Sequence, residues 1–153
     1  MRADFIAGSV TNLESIAQCY TGFAVRVRWM DSPRYKGLAF RTPAHGVIEL
    51  NGSIDVGEVG EVFFHEVAHL IHDFPDAPDQ DGYTEPTGSI HARLETMSEG
   101  PERAGLTAIY DKQESRADAW ALAALAAFEA QFGPFPVAIV GGHDNIAQLP
   151  GSI

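Results

Sequence analysis

One helical turn of the sequence carries residues suited to metal catalysis. His65, Glu66 and His69 form the pattern H-E-x-x-H within a stretch of helical apolar spacing. Histidines four positions apart lie on one helix face, about 6 Å apart along the axis, so both imidazoles can reach one Zn²⁺ at about 2.0–2.1 Å. Glu66 projects beside such a metal, where its carboxylate can act as a general base. The alternative, a surface helix with two exposed histidines, is disfavoured by the amphipathic context.

A third metal ligand is expected from a second helix. Glu114 and Asp118 are four positions apart, so their carboxylates lie one above the other on a single helix face. Glu114 would complete a His₂Glu site with an open position for water, and Asp118 would accept the free ring N–H of a ligand histidine. Without the upstream motif, the two carboxylates would be interpreted as ordinary acidic residues near a helix N-terminus.

The sequence excludes one other histidine arrangement. In the metzincin pattern H-E-x-x-H-x-x-G-x-x-H, the glycine position holds His72 and the last histidine position holds Pro75. His45 and His72 are further histidines near the motif, and we expect local hydrogen bonds to satisfy them. The predicted metal ligands therefore remain His65, His69 and Glu114.

These motifs resemble the ImmA/IrrE family of bacterial and phage metallopeptidases. The similarity consists of the H-E-x-x-H helix, the preceding segment Gly-Val-Ile-Glu-Leu-Asn at 46–51, and the segment Glu-Ser-Arg-Ala-Asp-Ala-Trp-Ala at 114–121. The second segment is similar to the family stretch E-x-x-A-[ND]-x-F-A, with Trp120 in place of Phe. The resemblance implies a gluzincin-like fold and a zinc-dependent endopeptidase, often one that cleaves a helix-turn-helix repressor.

The chain differs from this family pattern in two respects. The distance in sequence between His69 and Glu114 is longer than the family leads us to expect, so residues 74–110 are interpreted as an insertion or lid loop. Glu95 and Glu99 within that segment are rival third ligands. The chain also contains no basic helix-turn-helix segment, so substrate recognition would come from the catalytic domain or from a partner.

Hydrolysis of a peptide would also need a donor for the developing oxyanion. The sequence offers several candidates and does not choose among them: Tyr83, His91, Tyr110, Arg116 and His143.

The segments around the motifs predict an α+β fold. Helical spacing covers 11–20, 55–72 and about 112–132, with a further short helix around 91–97. Short apolar runs at 23–30, 37–42 and 46–50 are interpreted as an antiparallel meander. We predict a zincin-like domain over residues 1–153, in which a small antiparallel or mixed sheet packs against the H-E-x-x-H helix and a second ligand-bearing helix. In the tail, 135–153, the run 137–140 favours a strand or a segment packed on the core.

Composition excludes several classes of protein. The chain has 153 residues, 45% of them apolar, and a net charge of −11 from ten Lys+Arg and 21 Asp+Glu. This acid excess argues against a nucleic acid or an anionic membrane as partner. Cys19 is the single cysteine, which excludes an intrachain disulfide and a cysteine-based zinc ribbon. The longest apolar stretch, 119–128, is too short to span a bilayer, and no signal peptide is recognised, so we expect a cytoplasmic protein.

The expected partner is a protein or peptide substrate. The strand at 46–50 precedes the zinc helix and is predicted to be the edge on which an extended peptide pairs. A basic repressor segment would be attracted to the acidic chain, although diffuse solubilising charge is the simpler explanation. Two other functions compete with the peptidase: a non-hydrolytic zinc-binding or regulatory protein of the same fold, and a toxin–antitoxin or phage accessory protein that acts by binding alone. Glu66 favours the enzyme, because a structural zinc site needs no carboxylate there.

Overall fold

A computed structural model describes residues 9–80 and 85–135. In these residues there are four α-helices and three β-strands, and the α+β prediction is confirmed. A single 3₁₀ turn, Val56–Glu58, leads into the second helix. The elements in chain order are α1 (Ser9–Thr21), β1 (Val25–Met30), β2 (Gly37–Arg41), β3 (Gly46–Asn51), α2 (Val59–His72), α3 (Thr87–Thr96) and α4 (Pro101–Phe132). The predicted run at 137–140 lies outside the described residues.

The sheet is mixed, with strand order β1-β3-β2. β1 runs parallel to β3, with Val25 opposite Gly46, and β2 runs antiparallel to β3, with Gly37 opposite Leu50. The predicted antiparallel meander is therefore wrong, because β3 lies between the other two strands. Burial explains this order: five of the six residues of β3 are buried, whereas all of β2 is half-buried. A nearly continuous apolar strand is suited to the centre of a sheet and not to its edge.

α2 forms the centre of the hydrophobic core. Eleven of its fourteen residues are buried. Phe64 packs against Tyr20 of α1 at a ring-centroid distance of 6.0 Å and against Phe128 of α4 at 6.1 Å. The predicted first helix is confirmed, and its apolar residues, which face α2 and the sheet, are at most 1% exposed: Leu13, Ile16, Ala17 and Tyr20. The H-E-x-x-H motif thus lies on a helix that is packed on several sides.

α2 and α4 approach each other closely at Gly60. A Cβ at this position would lie 2.9 Å from the Leu125 Cδ1 atom of α4, so only glycine allows this separation without a shift. The close contact brings the side chains of α4 within reach of the histidines on α2.

α4 begins eleven residues earlier than predicted, at Pro101 instead of about 112. Proline is favoured in the first turn of a helix, where its missing N–H costs nothing. Between Pro101 and Lys112 only Leu106 is buried, so no apolar periodicity marks this part of the helix. Together with α3, it makes much of the predicted 74–110 loop helical. None of the helices among the described residues is long and apolar enough to cross a membrane.

Candidate metal centre

α2 brings two imidazoles together, as its spacing predicts. The Nε2 atoms of His65 and His69 are 3.0 Å apart. The His69 side chain is 6% exposed and that of His65 is 16% exposed, so the pair lies at the floor of a cleft. Ligand atoms of His65, Glu66 and His69 all lie within 4.8 Å of one another, and this group could hold a metal ion.

Glu114 of α4 faces both imidazoles from the opposite side. Its Oε2 atom is 3.3 Å from His65 Nε2, and its Oε1 atom is 3.1 Å from His69 Nε2. Ligand atoms that surround a tetrahedral zinc at 2.0–2.1 Å are about 3.3 Å apart. The two nitrogens and the Glu114 carboxylate therefore have the chemistry and the mutual distances of a His₂Glu site.

Carboxylates hold the other nitrogen of each ring. His65 Nδ1–H donates to Asp118 Oδ1 at 2.8 Å, where the sequence analysis expected that contact. His69 Nδ1–H donates to Asp73 Oδ2 at 2.7 Å. When an imidazole is neutral and its proton is on Nδ1, its Nε2 lone pair is free, so this arrangement lets both rings present Nε2 to a metal between them and Glu114.

Asp73 and the polar residues around it were not predicted from the sequence. Asp73 is 1% exposed, and Arg116 of α4 donates to its other oxygen, Oδ1. Thr87 of α3 lies 3.2 Å from His69 Nδ1 and donates to Gln113 at 2.7 Å. One available signal was the spacing, because Asp73 follows His69 by four positions and so shares its helix face.

The charges of the cluster are strongly coupled. For His69, burial lowers the pKa, but hydrogen bonds to Asp73 and Glu114 outweigh it and raise the pKa to about 10. His65 follows the same pattern, with burial opposed by the hydrogen bond to Glu114, and its pKa is raised. For Glu114, burial raises the pKa, but the hydrogen bonds to His65 and His69 lower it to about 2. The site therefore favours an anionic carboxylate facing positive charge.

Glu66 occupies a different environment from Glu114. It is 6% exposed, and burial raises the pKa of its carboxyl group. The backbone of β2 covers it at Gly37, where a Cβ would lie 3.0 Å from Glu66 Cγ. Glu66 thus lines the cleft as a desolvated carboxyl group beside the histidines.

The cleft has a volume of about 900 Å³ and is bordered by β2, α2, α3 and α4. Of the candidate oxyanion donors, His91 and Tyr110 line it, whereas Arg116 does not and binds Asp73 instead. Tyr83 and His143 lie outside the described residues.

The rival ligands are engaged elsewhere. Glu95 pairs with Arg34 at 2.7 Å and Glu99 with Arg103 at 3.4 Å, and neither lines the cleft. The His72 ring is bound locally, by a 2.8 Å hydrogen bond from Nδ1 to the carbonyl oxygen of Asp79. Glu114 is therefore the carboxylate that the fold brings to both histidines.

The prediction that 46–50 forms the substrate edge is wrong. β3 is the central strand, and both of its sides are paired with β1 and β2. All five residues of β2 line the cleft, and among the described residues β2 pairs with β3 only. The edge beside the metal centre is therefore β2.

Comparison of the chain with protein-family models, with curated proteins and with solved structures found no match. The similarity to ImmA/IrrE metallopeptidases therefore rests on the motif residues alone.

Proposed function

We propose that the protein is a zinc-dependent metalloendopeptidase that hydrolyses peptide bonds in a protein substrate. Its main support is the convergence of His65 Nε2, His69 Nε2 and the Glu114 carboxylate, at mutual distances of 3.0, 3.1 and 3.3 Å, in an open cleft. Three protein ligands facing a cleft leave a coordination position for water or substrate, which is typical of catalytic zinc sites and not of structural ones.

Zinc is the metal that suits this donor set best. Two imidazole nitrogens and one carboxylate match the His₂Glu set of zinc hydrolases, whereas Mg²⁺ and Ca²⁺ favour oxygen ligands alone. Held by His65, His69 and Glu114, a zinc ion would provide Lewis acidity for the scissile carbonyl and would make a water molecule acidic enough to react near neutral pH. Asp118 and Asp73 support this choice, because carboxylates bound to Nδ1 fix the ring orientation of zinc ligands.

Glu66 is the proposed general base. Its carboxylate takes a proton from the attacking water and then returns it to the leaving amine. Burial raises the pKa of Glu66, and a carboxylate with a raised pKa is a stronger base than an exposed one. Glu114 is the proposed carboxylate ligand of the metal, because its pKa is lowered to about 2 and the side chain is therefore anionic.

The substrate is proposed to bind along β2. An extended peptide can add to an exposed sheet edge by main-chain hydrogen bonds, and β2, which pairs only with β3 in the part of the chain that the structure describes, borders the cleft. A peptide in this position would pass over Glu66, because Gly37 at the start of β2 lies against that side chain. That the natural substrate is a repressor is supported by the family resemblance only.

Metal analysis and peptide cleavage in three variants test this function. Glu66→Gln is expected to keep one zinc per chain and to lose cleavage of quenched fluorescent peptides by at least about 100-fold. Glu114→Ala is expected to lose zinc, because it removes one of three ligands. Glu95→Ala is the matched control: Glu95 pairs with Arg34 and does not line the cleft, so its loss should leave zinc content unchanged.

Two results would contradict the proposal in different ways. Full zinc retention in Glu114→Ala would show that the third ligand is another residue. Stoichiometric zinc in the wild type with no cleavage of any peptide or protein tested would instead favour the non-hydrolytic zinc-binding protein.

A further inference from the structure

Three aromatic rings line one side of the cleft near the candidate metal ligands. Tyr35 precedes β2, His91 lies on α3 and Tyr110 lies on α4. The ring centroids of Tyr35 and His91 are 6.4 Å apart, and those of His91 and Tyr110 are 5.9 Å apart. We call this set, Tyr35, His91 and Tyr110, the aromatic wall.

An exposed ion pair borders the aromatic wall. The Arg34 guanidinium lies 5.8 Å from the centre of the Tyr35 ring and donates to Glu95 at 2.7 Å. The same Glu95 oxygen is 3.4 Å from His91 Nδ1. The three rings are already adjacent in the structure, and a preformed surface reduces the conformational entropy that binding would cost.

The aromatic wall is close to the metal centre. Tyr110 precedes Glu114 by four positions on α4, so both side chains share one helix face, about 6 Å apart along the axis. A side chain against the wall would therefore belong to a residue near the cleaved bond.

The surroundings indicate the chemistry of that side chain. Tyr35 is 36% exposed and the His91 side chain is 38% exposed, so the rings present surface that a ligand can bury. Arg34 beside the wall disfavours a basic side chain, and the nearby carboxylates Glu95 and Glu114 disfavour an acidic one. Contact with aromatic rings stabilises a bound aromatic or large apolar side chain more than a small or polar one.

We propose that the aromatic wall is a substrate subsite that binds an aromatic or large apolar side chain adjacent to the cleaved bond. This inference rests on the proposed peptidase function and adds its side-chain specificity.

Peptide binding tests the subsite without requiring cleavage. The probes are blocked hexapeptides of alanine with a single phenylalanine at each position in turn, compared with the all-alanine hexapeptide. Their dissociation constants are measured by NMR titration of the Glu66→Gln variant in zinc-containing buffer, so that no peptide is consumed. At least one phenylalanine position is expected to bind about five- to tenfold more tightly than the all-alanine peptide.

Four further substitutions localise this preference in the same background, and a fifth serves as the control. Tyr35→Ala and Tyr110→Ala are expected to abolish the difference between the two peptides, whereas Tyr35→Phe and Tyr110→Phe keep the rings and the difference. Leu122→Ala removes an apolar side chain that is 56% exposed on α4 and does not line the cleft, and it should change nothing. Circular dichroism checks that each variant is folded.

The failure of this inference is distinguishable from the failure of the peptidase function. Equal affinity for all hexapeptides, or a phenylalanine preference that survives both alanine variants, would overturn the subsite. A wild-type protein that binds zinc but cleaves no peptide would overturn the peptidase function, whatever the binding assay shows.

Discussion

At the scale of single residues, a glycine sets the environment of the proposed base. A Cβ at Gly37 would lie 2.8 Å from Val62 Cγ1 and 3.0 Å from Glu66 Cγ. The bare backbone of β2 therefore covers Glu66, which is only 6% exposed. Removal of water from a carboxyl group raises its pKa, so the backbone of Gly37 contributes to the raised pKa of Glu66 and, in the proposed reaction, to its strength as a base.

Substitution of Gly37 by alanine is expected to separate metal binding from catalysis. The added methyl group must displace Glu66 or Val62, since β2 is fixed by its pairing with β3. We expect normal zinc content, a loss of kcat of about 10- to 100-fold, and a destabilisation of about 1–3 kcal/mol. These quantities are measured by metal analysis, peptide cleavage and urea denaturation.

Gly88→Ala is the matched control for this prediction. Gly88 also lines the cleft, but a Cβ there would meet no atom within 4 Å. Unchanged cleavage by Gly37→Ala would mean that the contact with Glu66 is unimportant for the reaction.

At the scale of elements, local sequence patterns predicted the individual helices and strands better than they predicted how these elements pack together. The apolar periodicity of α1 and α2 was sufficient to locate both helices. The four-residue spacing of His65 and His69 was sufficient to predict that their rings lie side by side. The order of the strands was not predictable from alternation, because it depends on which strand is buried on both faces. The start of α4 was missed for a related reason, since its first turns are mostly exposed and carry no apolar period.

The same limit applies to the candidate site. Glu114 and Asp118 were found because their four-residue spacing is local, and the fold brings both to the histidines. Arg116 was considered only as an oxyanion donor, and its contact with Asp73 depends on how α4 crosses α2. Sequence spacing indicates which side chains share a helix face, but the packing of helices decides what they meet.

The packing of α1 against α2 and α4 gives a pH-dependent prediction. Burial raises the pKa of Tyr20 to about 12, with a smaller contribution from Cys19. An unfolded tyrosine ionises near pH 10, so between about pH 10 and 12 the unfolded state loses a proton that the folded state keeps. The stabilising contribution of Tyr20 is therefore complete below pH 10 and is lost as the pH rises towards 12.

Urea denaturation at pH 8, 10 and 11 measures this effect. Tyr20→Phe keeps the ring that packs on Trp120 at 5.1 Å and on Phe64 at 6.0 Å but cannot ionise. The free energy of unfolding of the variant should therefore fall less steeply above pH 10 than that of the wild type. Parallel pH profiles would show that Tyr20 is accessible to solvent in the folded protein.

At the scale of the whole molecule, the candidate metal centre lies between two helices that pack in one hydrophobic core. His65 and His69 belong to α2, which packs on α1 and the sheet, whereas Glu114 belongs to α4. Without a metal, ionisable side chains of α2 and α4 lie close together at the floor of a cleft. A bound zinc would link α2 to α4, since its ligands come from both helices, and would stabilise the folded chain but not the unfolded one.

Thermal unfolding of EDTA-treated protein with and without zinc measures how much zinc bound between α2 and α4 stabilises the folded chain. At a free zinc concentration about a thousandfold above the Kd, the stabilisation is about 4 kcal/mol, which corresponds to an increase in Tm on the order of 10 °C for a domain of this size. The increase should shrink between pH 8 and pH 6, because protons compete with the metal for both imidazoles. Glu114→Gln should reduce it, and Glu95→Gln, outside the cleft, should not. An equal increase in the Glu114 variant would mean that zinc stabilises the protein without joining α4 to α2.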